Sequence, residues 1–394
     1  MKIAIVCPAS LPATQFGGIM HLGLDIAKEI SKNGHDVTIF TTDLDFANNT
    51  HTFNKDLPRV EKIDQFKINR SHVWFAIQLF FINPGIYSQI IKYKPDIIHT
   101  IGVRSFQSYA SALAAKKKNI PLVVSDQGGL TTHPDISKNF MNRILYKFQL
   151  PMIRFIINQA SKISAGNEYE KKNLSNFCDE SKITIIKNGI NLEAFRATFS
   201  FKQKYRIEGP YILFVGRFHS VKGIDILLRA INLIKDNSIL SNTKIVIMGV
   251  DFGYESQMLH MINELKIQNL VQVIKKPPRE DIIAAYAECE FLVLPSRWEL
   301  SPLTPLEGFA FKKTVISTNT HGIPHTITHN ENAILVELED VNGLADSILD
   351  LLENKERCAN LGLAGYELVQ NICNAGEMVR NTLKLYQEVI DKKS

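Results

Sequence analysis

The sequence predicts an α/β protein built from two doubly wound, Rossmann-like domains. Its 394 residues are 45% hydrophobic and 22% charged, which is enough apolar material for the cores of two globular domains. Short β-branched apolar runs alternate with amphipathic stretches, the pattern of strands and helices in a parallel sheet covered on both faces. The alternation stops near residue 200 and then begins again, which indicates a second domain of the same kind.

The first half contains six short apolar runs of the length expected for buried strands. Amphipathic stretches that predict helices lie between some of them, over residues 18–34, 105–119 and 139–159. The predicted strands are Ile3–Cys7, Asp36–Thr41, Ile97–Thr100, Leu122–Ser125, Ile163–Ala165 and Ile183–Ile186.

The second half repeats the pattern, with helices predicted over residues 223–236, 256–267, 279–289 and 342–355. Strand and helix alternate here as in the first half, so a second parallel sheet is expected. The predicted strands are Tyr211–Val215, Lys244–Met248, Val271–Ile274, Phe291–Leu294, Thr314–Ser317 and Ala333–Val336.

A polar, weakly periodic stretch from Arg196 to Pro210 separates the two halves and predicts a linker. We therefore assign residues 1–199 to an N-terminal domain and residues 200–373 to a C-terminal domain. Residues 374–394 follow, and Asn374–Asp391 predicts a helix without an accompanying strand. Two such domains are expected to enclose a cleft, and ligands of open α/β sheets bind beyond the carboxyl ends of the strands.

The composition argues against several protein classes. No window approaches the ~18 apolar residues of a membrane span, and the longest apolar run, Val73–Ile82, is expected to pack in the core or at an interface. Met1–Ser10 is expected to form a strand rather than a secretory signal, because its apolar run is too short. The five cysteines lack metal-ligand spacing, so we expect a reducing cytoplasm, no disulfide and no zinc.

Positive charge is concentrated in the first half. Residues 1–199 hold 24 Lys and Arg against 16 Asp and Glu, a net charge of +8, whereas the remainder of the chain carries −3. Such a distribution favours an anionic partner, either phosphate groups or an acidic membrane surface. The same charge count also fits a basic surface that is merely solvated.

The segment Lys138–Gln159 combines basic residues with aromatic and aliphatic ones in an amphipathic pattern. A helix of this kind can lie on an acidic membrane. It can equally be a domain helix with one buried face. The apolar run Val73–Ile82 adds weight to membrane contact.

Two loops that follow predicted strands hold residues suited to an anionic or hydroxylated ligand. The first, after Tyr211–Val215, contains Gly216, Arg217, Lys222 and Gly223 ahead of a helix. Backbone N–H groups at the start of a helix favour anions, and a guanidinium together with an ammonium suits a diphosphate. The alternative is a surface loop with two solvated cations.

The second loop follows Phe291–Leu294 and leads into a helix predicted from Leu303 to Phe311. Two carboxylates, Glu299 and Glu307, stand there with seven residues between them. This spacing is too wide for one helical face, so Glu299 in the loop and Glu307 in the helix are expected to reach one pocket from different positions. Carboxylates accept hydrogen bonds from vicinal hydroxyls, as in a sugar or a ribose. The alternative is a loop charge and a helix N-terminal acid that the helix dipole favours.

These two loops, with further segments, resemble retaining glycosyltransferases of family 4, the glycosyl transferases group 1. The resemblance covers nearly the whole chain and depends on the number, order and spacing of its motifs. It implies the two-domain GT-B architecture, with an interdomain cleft and a C-terminal helix that returns to the N-terminal domain. The motifs are "GGIMHLGLDIAKEISKNGHDVTIFTT", "KPDIIHTIG", "IPLVVSDQGG", "ITIIKNGINLEAF", "ILFVGRFHSVKG", "EDIIAAYAECEFLVLPSRWE" and "EGFAFKKTVISTNTHGIP".

The resemblance also implies the roles of individual residues. Glu299 is implied to hold hydroxyls of the donor sugar, and Glu307 those of the nucleotide ribose. Arg217 and Lys222 are implied to hold the diphosphate and to neutralise the leaving group, so that Arg217, Lys222 and Glu299 form the catalytic set. The other implied donor contacts are Gly17, Gly18, Gly216, Gly249, Leu303 and Thr304.

The chain departs from the family pattern after the strand Leu122–Ser125. The family usually has His-Gly there, whereas this chain has "DQGG", with Gln127 in place of the usual His. A Gln side chain cannot take over an acid–base task of that histidine. Gln127, Gly128 and His133 are the candidates for the acceptor side.

The sequence as a whole predicts transfer of a sugar from a nucleotide-sugar to an acceptor hydroxyl with retention of configuration, in the synthesis of a cell-surface or lipid-linked glycan. A GT-B-fold nucleotide-sugar epimerase and a non-catalytic nucleotide-sugar-binding subunit are the alternatives. No cofactor and no metal are expected, since the nucleotide-sugar is a substrate. The expected partners are the donor, a glycan or lipid-linked acceptor and an anionic membrane contacted peripherally, without nucleic acid. The expected location is the cytoplasm, at the inner face of the cell membrane.

Overall fold

The structure is a computed structural model that describes residues 1–45, 52–77, 79–127, 130, 134 and 140–392. It divides into two compact units, the first formed by Met1–Gly189 with Ala375–Ser394 and the second by Ile190–Asn374. The division after Gly189 lies ahead of the boundary expected after residue 199. The reason is that Ile190 and Phe195 are buried in the hydrophobic core of the second unit.

The strands are short and apolar, as the sequence predicts. Each predicted strand is present, with its ends shifted by a residue at most. Four strands are not predicted. Polar residues interrupt the strands Val60–Ile63 and Phe66–Ser71, and the strands Phe75–Ile77 and Phe80–Ile82 lie within the apolar run Val73–Ile82, which the sequence assigns to the core or an interface rather than to strands. Over the described ranges the strands are β1 (Lys2–Val6), β2 (Asp36–Thr42), β3 (Val60–Ile63), β4 (Phe66–Ser71), β5 (Phe75–Ile77), β6 (Phe80–Ile82), β7 (Ile97–Ile101), β8 (Leu122–Ser125), β9 (Lys162–Ala165), β10 (Ile183–Ile185), β11 (Tyr211–Val215), β12 (Lys244–Gly249), β13 (Val271–Lys275), β14 (Leu292–Leu294), β15 (Val315–Thr318) and β16 (Ile334–Val336).

Each predicted helix is present, whereas the helices Gly85–Tyr93, Glu168–Leu174 and Lys355–Asn371 are not predicted, nor is the short helix Phe201–Tyr205 inside the segment expected to be a linker. None of the helices in the described part of the chain combines the length and the apolar character needed to cross a bilayer. The helices are α1 (Gly18–Lys32), α2 (Gly85–Tyr93), α3 (Phe106–Lys118), α4 (Phe140–Gln159), α5 (Glu168–Leu174), α6 (Phe201–Tyr205), α7 (Ile224–Ile234), α8 (Glu255–Glu264), α9 (Arg279–Glu288), α10 (Thr304–Phe309), α11 (Val341–Glu353), α12 (Lys355–Asn371) and α13 (Ala375–Asp391).

The main sheet of the first unit has the strand order β10-β9-β8-β7-β1-β2-β4-β3. All its neighbouring pairs are parallel except β3 with β4, which form an antiparallel edge. The central strands are buried on both faces, which explains why β1 is a continuous apolar run rather than an alternating one. The strand order reverses between β1 and β7, so the carboxyl ends of these strands form a topological switch point.

Helix α13 belongs to the first unit and packs against α1. Its Tyr386 is fully buried, and the hydroxyl lies 2.6 Å from Nδ1 of His99 on β7. Nε2 of His99 lies 2.7 Å from the Ser125 hydroxyl at the end of β8. The last helix of the chain is thereby tied to the middle of the first sheet, as the resemblance implies.

The second unit has a fully parallel sheet with the order β13-β12-β11-β14-β15-β16. Its switch point lies between β11 and β14, where Leu213 pairs with Leu292. The loops that follow these two strands are the two loops that the sequence marks as ligand-binding. Parallel pairing brings both loops to the same edge of the sheet.

Candidate active site

Close packing joins the loop after β11 to the loop after β14. Gly223 ends the first loop with a φ of +66°, which favours glycine. A Cβ atom on this residue would lie 1.9 Å from the carbonyl oxygen of Pro295. Only glycine therefore permits this approach, which brings Lys222 to the segment that contains Glu299.

Lys222 and Glu299 form an ion pair, with 2.5 Å between Nζ and Oε1. Both side chains are 18% exposed, so the pair is accessible to a ligand but is largely withdrawn from water. The Ser296 hydroxyl donates to the same oxygen over 3.1 Å. Among the described residues no donor reaches Oε2 of Glu299, and the ammonium of Lys222 uses one of its three hydrogens on Oε1. The pair can therefore offer both an acceptor and two donors to a ligand.

Glu307 lies in the first turn of α10 and is almost fully buried. Its Oε1 accepts from Nη2 of Arg279 over 2.6 Å, and its Oε2 accepts from the Tyr286 hydroxyl over 2.7 Å. Burial and then the charge of Glu307 raise the pKa of Tyr286 well above its usual range, so the phenol stays protonated and donates. The carboxylate is therefore fixed by two residues of α9 rather than held at the helix terminus by the dipole alone.

Arg217 takes a different position from Lys222 within the same loop. Its guanidinium carbon lies 5.0 Å from the ring centroid of Phe252, in the loop after β12. The backbone of Phe218 pairs with that loop, donating to Val250 and accepting from Phe252. A stacked guanidinium keeps its N–H groups at its edges, where they can bind an anion.

The two glycines predicted near the ligand have a structural reason at the ends of β11 and β12. A Cβ on Gly249 would lie 1.8 Å from the carbonyl oxygen of Gly216, so the two strand ends could not approach as they do. Leu303 and Thr304 stand at the start of α10, and Pro305 follows them. The first N–H groups of a helix have no intrahelical acceptor, which leaves those of Leu303 and Thr304 for other acceptors.

Sequence reasoning missed the arginine that braces the Lys222 loop. Arg297 forms a two-pronged ion pair with the buried Asp225, with both N–O distances at 2.8 Å, and it also pairs with Glu339. Its Nη1 donates to the carbonyl of Ser220, two residues before Lys222. Burial opposes ionisation of Asp225, but the hydrogen bonds and charge of Arg297 outweigh it and lower the pKa of that carboxyl. The signal was present in the sequence, since Arg297 stands two residues before Glu299.

Arg279 and Tyr286 were missed as well. Both lie in a segment predicted as an ordinary amphipathic helix, and one helix face can present them together because they are seven residues apart. In the sequence, Arg279 has the features of a surface cation and Tyr286 those of a buried aromatic residue, so neither stands out as a site residue. Their shared contact with Glu307 arises only from the packing of α9 on α10.

The first unit holds the remaining predicted residues. Gly17, with a φ of +102°, precedes Gly18, the first residue of α1, after the loop from β1. Gln127 follows β8, and its side chain forms a reciprocal amide pair with Asn188: Nε2 to Oδ1 is 2.9 Å and Nδ2 to Oε1 is 3.1 Å. Gly128 and His133 lie outside the described residues.

The second unit thus assembles a set of groups that complements a molecule with both phosphate and hydroxyl groups. Cations on the loop after β11 can neutralise phosphate oxygens, and two separately fixed carboxylates can accept from hydroxyls. The strand order places these groups at a switch point, where open α/β sheets bind ligands.

Comparison with known protein families agrees with this chemistry. The family model described as "Glycosyltransferase Family 4" matches residues 16–194, and the one described as "Glycosyl transferases group 1" matches residues 195–368. The chain belongs to the family 4 glycosyltransferases. The family resemblance drawn from the motifs is thereby confirmed.

Individual relatives of this glycosyltransferase are distant. An uncharacterised glycosyltransferase of Methanocaldococcus jannaschii is 27% identical over 319 residues, 78% of this chain and 82% of that protein. A D-inositol 3-phosphate glycosyltransferase of Streptosporangium roseum is 24% identical over 365 residues, 84% of this chain and 80% of that protein. The solved structure of Anabaena HepE, in complex with UDP-glucose, superposes with a TM-score of 0.76 at 17% identity, covering 98% of this chain and 100% of that one. The GT-B architecture is confirmed by this likeness of fold.

Proposed function

We propose that this glycosyltransferase transfers a sugar from a nucleotide-sugar to an acceptor hydroxyl, with retention of anomeric configuration, in the synthesis of a cell-surface or lipid-linked glycan. The observation that supports the proposal most is the Lys222–Glu299 ion pair at the switch point of the second sheet. A cation for the leaving group and an acceptor for sugar hydroxyls stand there in direct contact. The UDP-glucose bound by HepE makes a UDP-sugar the first donor to test.

Each site residue then has a distinct task. The ammonium of Lys222 and the guanidinium of Arg217 hold the diphosphate, with the N–H groups of Leu303 and Thr304. Oε2 of Glu299 accepts from a hydroxyl of the donor sugar. Glu307 accepts from the ribose, and Arg279 and Tyr286 hold its carboxylate in place for that contact. Gly216 and Gly249 let the backbone approach the ligand, and Gly17 and Gly18 do so in the first unit.

The reaction breaks the bond between the anomeric carbon and the diphosphate oxygen, and the electron pair leaves with the nucleoside diphosphate. The acceptor oxygen forms the new bond on the same face of the sugar, and its proton passes to the departing phosphate. Positive charge develops on the sugar ring and negative charge on the leaving group in the transition state. Lys222 and Arg217 stabilise the latter, an electrostatic contribution that typically amounts to ~3 kcal/mol for one partner.

The test is a product analysis with purified protein, UDP-glucose and a panel of acceptors. Proton NMR of the isolated glycoside reports the anomeric configuration, and retention is expected. An inverted product would contradict the retaining mechanism. Addition of EDTA is expected to leave the rate unchanged, because no metal has a task in this scheme.

Two other functions remain as alternatives, and each predicts a different outcome. A nucleotide-sugar epimerase would convert the donor to its epimer without any acceptor, which NMR of the donor alone would reveal. A non-catalytic binding subunit would bind the donor without turnover. The paired and accessible Lys222 and Glu299 suit donor binding in all three cases, so turnover with an acceptor is the measurement that separates them.

We further propose that the first unit contacts an anionic membrane, where a lipid-linked acceptor would be presented. Trp74, beside the hairpin β5–β6, is 75% exposed, and Phe148 on α4 is 79% exposed. Both elements meet the start of α3: Gln107 donates to the carbonyl of Phe81 over 2.8 Å, and Arg104 donates to Gln149 over 3.2 Å. The hairpin beside Trp74 and the helix that carries Phe148 are therefore attached near the same end of α3.

The charges around these aromatic residues suit an acidic lipid surface. Residues 72–82 and 140–159 contain no Asp or Glu, whereas α4 contains Arg143, Lys147 and Arg154. Aromatic residues that enter the interface and cations near anionic headgroups act together in peripheral binding. The net positive charge of residues 1–199 agrees with the local positive charge of α4.

Flotation with phosphatidylcholine vesicles, with and without phosphatidylglycerol, tests this surface. The wild type is expected to float with the anionic vesicles and the double variant Trp74→Ser/Phe148→Ser to remain behind. Leu233→Ser is the control, since Leu233 is an exposed apolar residue of the second unit at 55% exposure. Equal flotation of all three proteins, or no flotation of the wild type, would exclude the proposed membrane surface.

A further inference from the structure

Two consecutive residues in the loop after β14 make contacts on either side of the Lys222–Glu299 ion pair. The hydroxyl of Ser296 donates to the acid, and the guanidinium of Arg297 donates to the loop that carries the cation. The family resemblance gives neither residue a task, and neither is among the donor contacts. Their own hydrogen bonds indicate what each of them does to the pair.

Arg297 uses all of its donors within the protein. A guanidinium carries five N–H groups. Two of them donate to the two carboxylate oxygens of the buried Asp225, each over 2.8 Å, and a third donates to the carbonyl of Ser220 over 2.7 Å. The remaining two donate to the carboxylate of Glu339. Arg297 is therefore arranged to hold protein groups in place and not to bind a phosphate itself.

The contacts of Arg297 fix the backbone on both sides of Lys222. Before it, the carbonyl of Ser220 accepts from the guanidinium, and the carbonyl of Val221 accepts from the N–H of Arg297 over 2.7 Å. After it, Asp225 in the first turn of α7 holds the guanidinium with both oxygens. The place of the Lys222 ammonium is thereby set by Arg297.

Ser296 is itself fixed and orients the acid. It is only 1% exposed, its N–H donates to the carbonyl of Leu294 over 2.8 Å, and its carbonyl accepts from the hydroxyl of Thr318. Its hydroxyl donates over 3.1 Å to Oε1 of Glu299, the oxygen that also pairs with Lys222. Two donors on one oxygen hold the carboxylate in one orientation, with Oε2 as the acceptor for a ligand.

We propose that Ser296 and Arg297 are positioning residues for the transfer reaction: Ser296 orients the carboxylate of Glu299, and Arg297 places the ammonium of Lys222. Neither residue touches the donor. The inference rests on the proposed glycosyl transfer and adds two residues that act only through the ion pair. Reacting groups must be held close to the productive geometry, so loss of either contact lowers turnover without removing a group that binds the donor.

A first double-mutant cycle tests Arg297, with UDP-glucose as donor and the acceptor of the panel that supports the fastest UDP release. Arg297→Lys keeps the positive charge but cannot form the two-pronged bond, so any loss reports on geometry and not on charge. It is expected to lower kcat about tenfold and to leave KM for the acceptor unchanged. In the Lys222→Ala background the same substitution is expected to have no further effect, because the group that it places is gone.

A second cycle tests Ser296 under the same conditions. Ser296→Ala removes one hydrogen bond to a charged group and is expected to lower kcat about tenfold, again without a change in KM for the acceptor. In the Glu299→Ala background no further loss is expected, because the carboxylate that Ser296 orients is absent.

Ser317→Ala and Arg357→Lys are the matched controls. Ser317 is 2% exposed and its hydroxyl donates to a backbone carbonyl over 2.8 Å, whereas Arg357 pairs with Asp350 over 2.5 Å. Over the described residues, neither forms a hydrogen bond or an ion pair with Lys222 or Glu299. Both controls are expected to lower Tm and to leave kcat per folded molecule unchanged.

If Arg297→Lys does not fold, Asp225→Asn takes its place in the first cycle, because it weakens the same two-pronged bond from the other side. The same tenfold loss of kcat is expected, and the same absence of effect in the Lys222→Ala background.

Wild-type kcat in Arg297→Lys or in Ser296→Ala, or additive effects in either cycle, would overturn the inference while transfer by the wild type still stands. Equal losses of kcat in the matched controls would overturn it as well, because stability alone would then explain the effect. Absence of transfer by the wild type with every donor and acceptor would instead overturn the proposed function, and this inference with it.

Discussion

The carboxyl edges of the two sheets are built from different chemistry, although the two units share one fold. In the second unit the polar groups are joined by ion pairs, such as Lys222 with Glu299 and Arg279 with Glu307. In the first unit the residues after β8 and β10 are joined by uncharged hydrogen bonds, Gln127 with Asn188, whereas Asp43 after β2 pairs with Arg59. A shared fold therefore does not determine what the strand ends bind, and the residues of the loops do.

The comparison extends to the protonation states of the buried groups. Arg297 and Asp225 stabilise each other as charged groups in the second unit, which raises the pKa of the arginine and lowers that of the acid. In the first unit burial lowers the pKa of His99 to about 4, so the imidazole is neutral at pH 7. Charge is thus retained beside the loop that contains Lys222, whereas the middle of the first sheet holds a neutral imidazole.

Removal of Lys222 from the carboxyl edge of the second sheet, called the charged edge below, is expected to have the largest effect on turnover. Lys222→Ala removes leaving-group stabilisation and leaves Glu299 without its partner, so kcat is expected to fall by about 10²-fold or more. Steady-state kinetics with a saturating donor measures it. Lys355→Ala is the control, because Lys355 also pairs with a glutamate, Glu290, at 2.8 Å but lies outside the site. Near-wild-type turnover of Lys222→Ala would show that catalysis does not need a positive charge at the carboxyl edge of the second sheet.

Neutralising the second acid is expected to have an intermediate effect on binding rather than on turnover. Glu307→Gln keeps the shape of the side chain but weakens its contacts with ribose and with Arg279, so donor affinity is expected to fall about tenfold, as for a hydrogen bond to a charged group. Calorimetry gives the donor Kd. Tyr286→Phe, which removes only the donor to Oε2, is expected to weaken binding less. Unchanged donor Kd in Glu307→Gln would count against the ribose contact.

The first unit is expected to respond to pH through Glu170. Because burial raises the folded-state pKa of Glu170 to about 8, well above its ordinary value of 4.5, folding favours the protonated carboxyl. Its stabilising effect is complete below pH 4.5 and is lost as the pH rises towards 8, at about 1 kcal/mol per pH unit near neutrality. His99 acts in the opposite direction and only below about pH 6.5, because its folded-state pKa is lowered to about 4.

Denaturant unfolding at a series of pH values between 6.5 and 8 isolates the contribution of Glu170. The free energy of unfolding of the wild type is expected to decrease over this window, whereas that of Glu170→Gln is expected to decrease less. Parallel pH profiles for the two proteins would show that Glu170 is already ionised in the folded protein.

Much of the fold follows from the sequence, because the central strands are short, buried and mainly apolar runs that alternate with amphipathic stretches. The edge strand β3 and its neighbour β4 do not follow in this way, since polar residues interrupt the apolar pattern of both. The boundary between the two units, which lies after Gly189 rather than after residue 199, differs from the expected position for a similar reason. A polar stretch suggested a linker, yet Phe195 and Phe201 within or near it are core residues of the second unit.

The candidate site is predictable in part. The loop after β11 and the acids after β14 stand where ligand contacts are expected, and the meeting of Lys222 with Glu299 follows from the pairing of these strands. The partners Arg279, Tyr286 and Arg297 could not be inferred, because their roles depend on which helix packs against which.

The most direct test compares the binding of a nucleoside diphosphate with that of its nucleoside, by calorimetry on the wild type and on Lys222→Ala. UDP, GDP and ADP are screened first, and the tightest ligand is taken with its nucleoside. If the charged edge of the second sheet holds the diphosphate, Lys222→Ala will weaken diphosphate binding at least tenfold and leave nucleoside binding unchanged. Equal diphosphate affinity in the two proteins, or no binding of any nucleoside diphosphate to the wild type, would contradict the assignment of this edge to the donor.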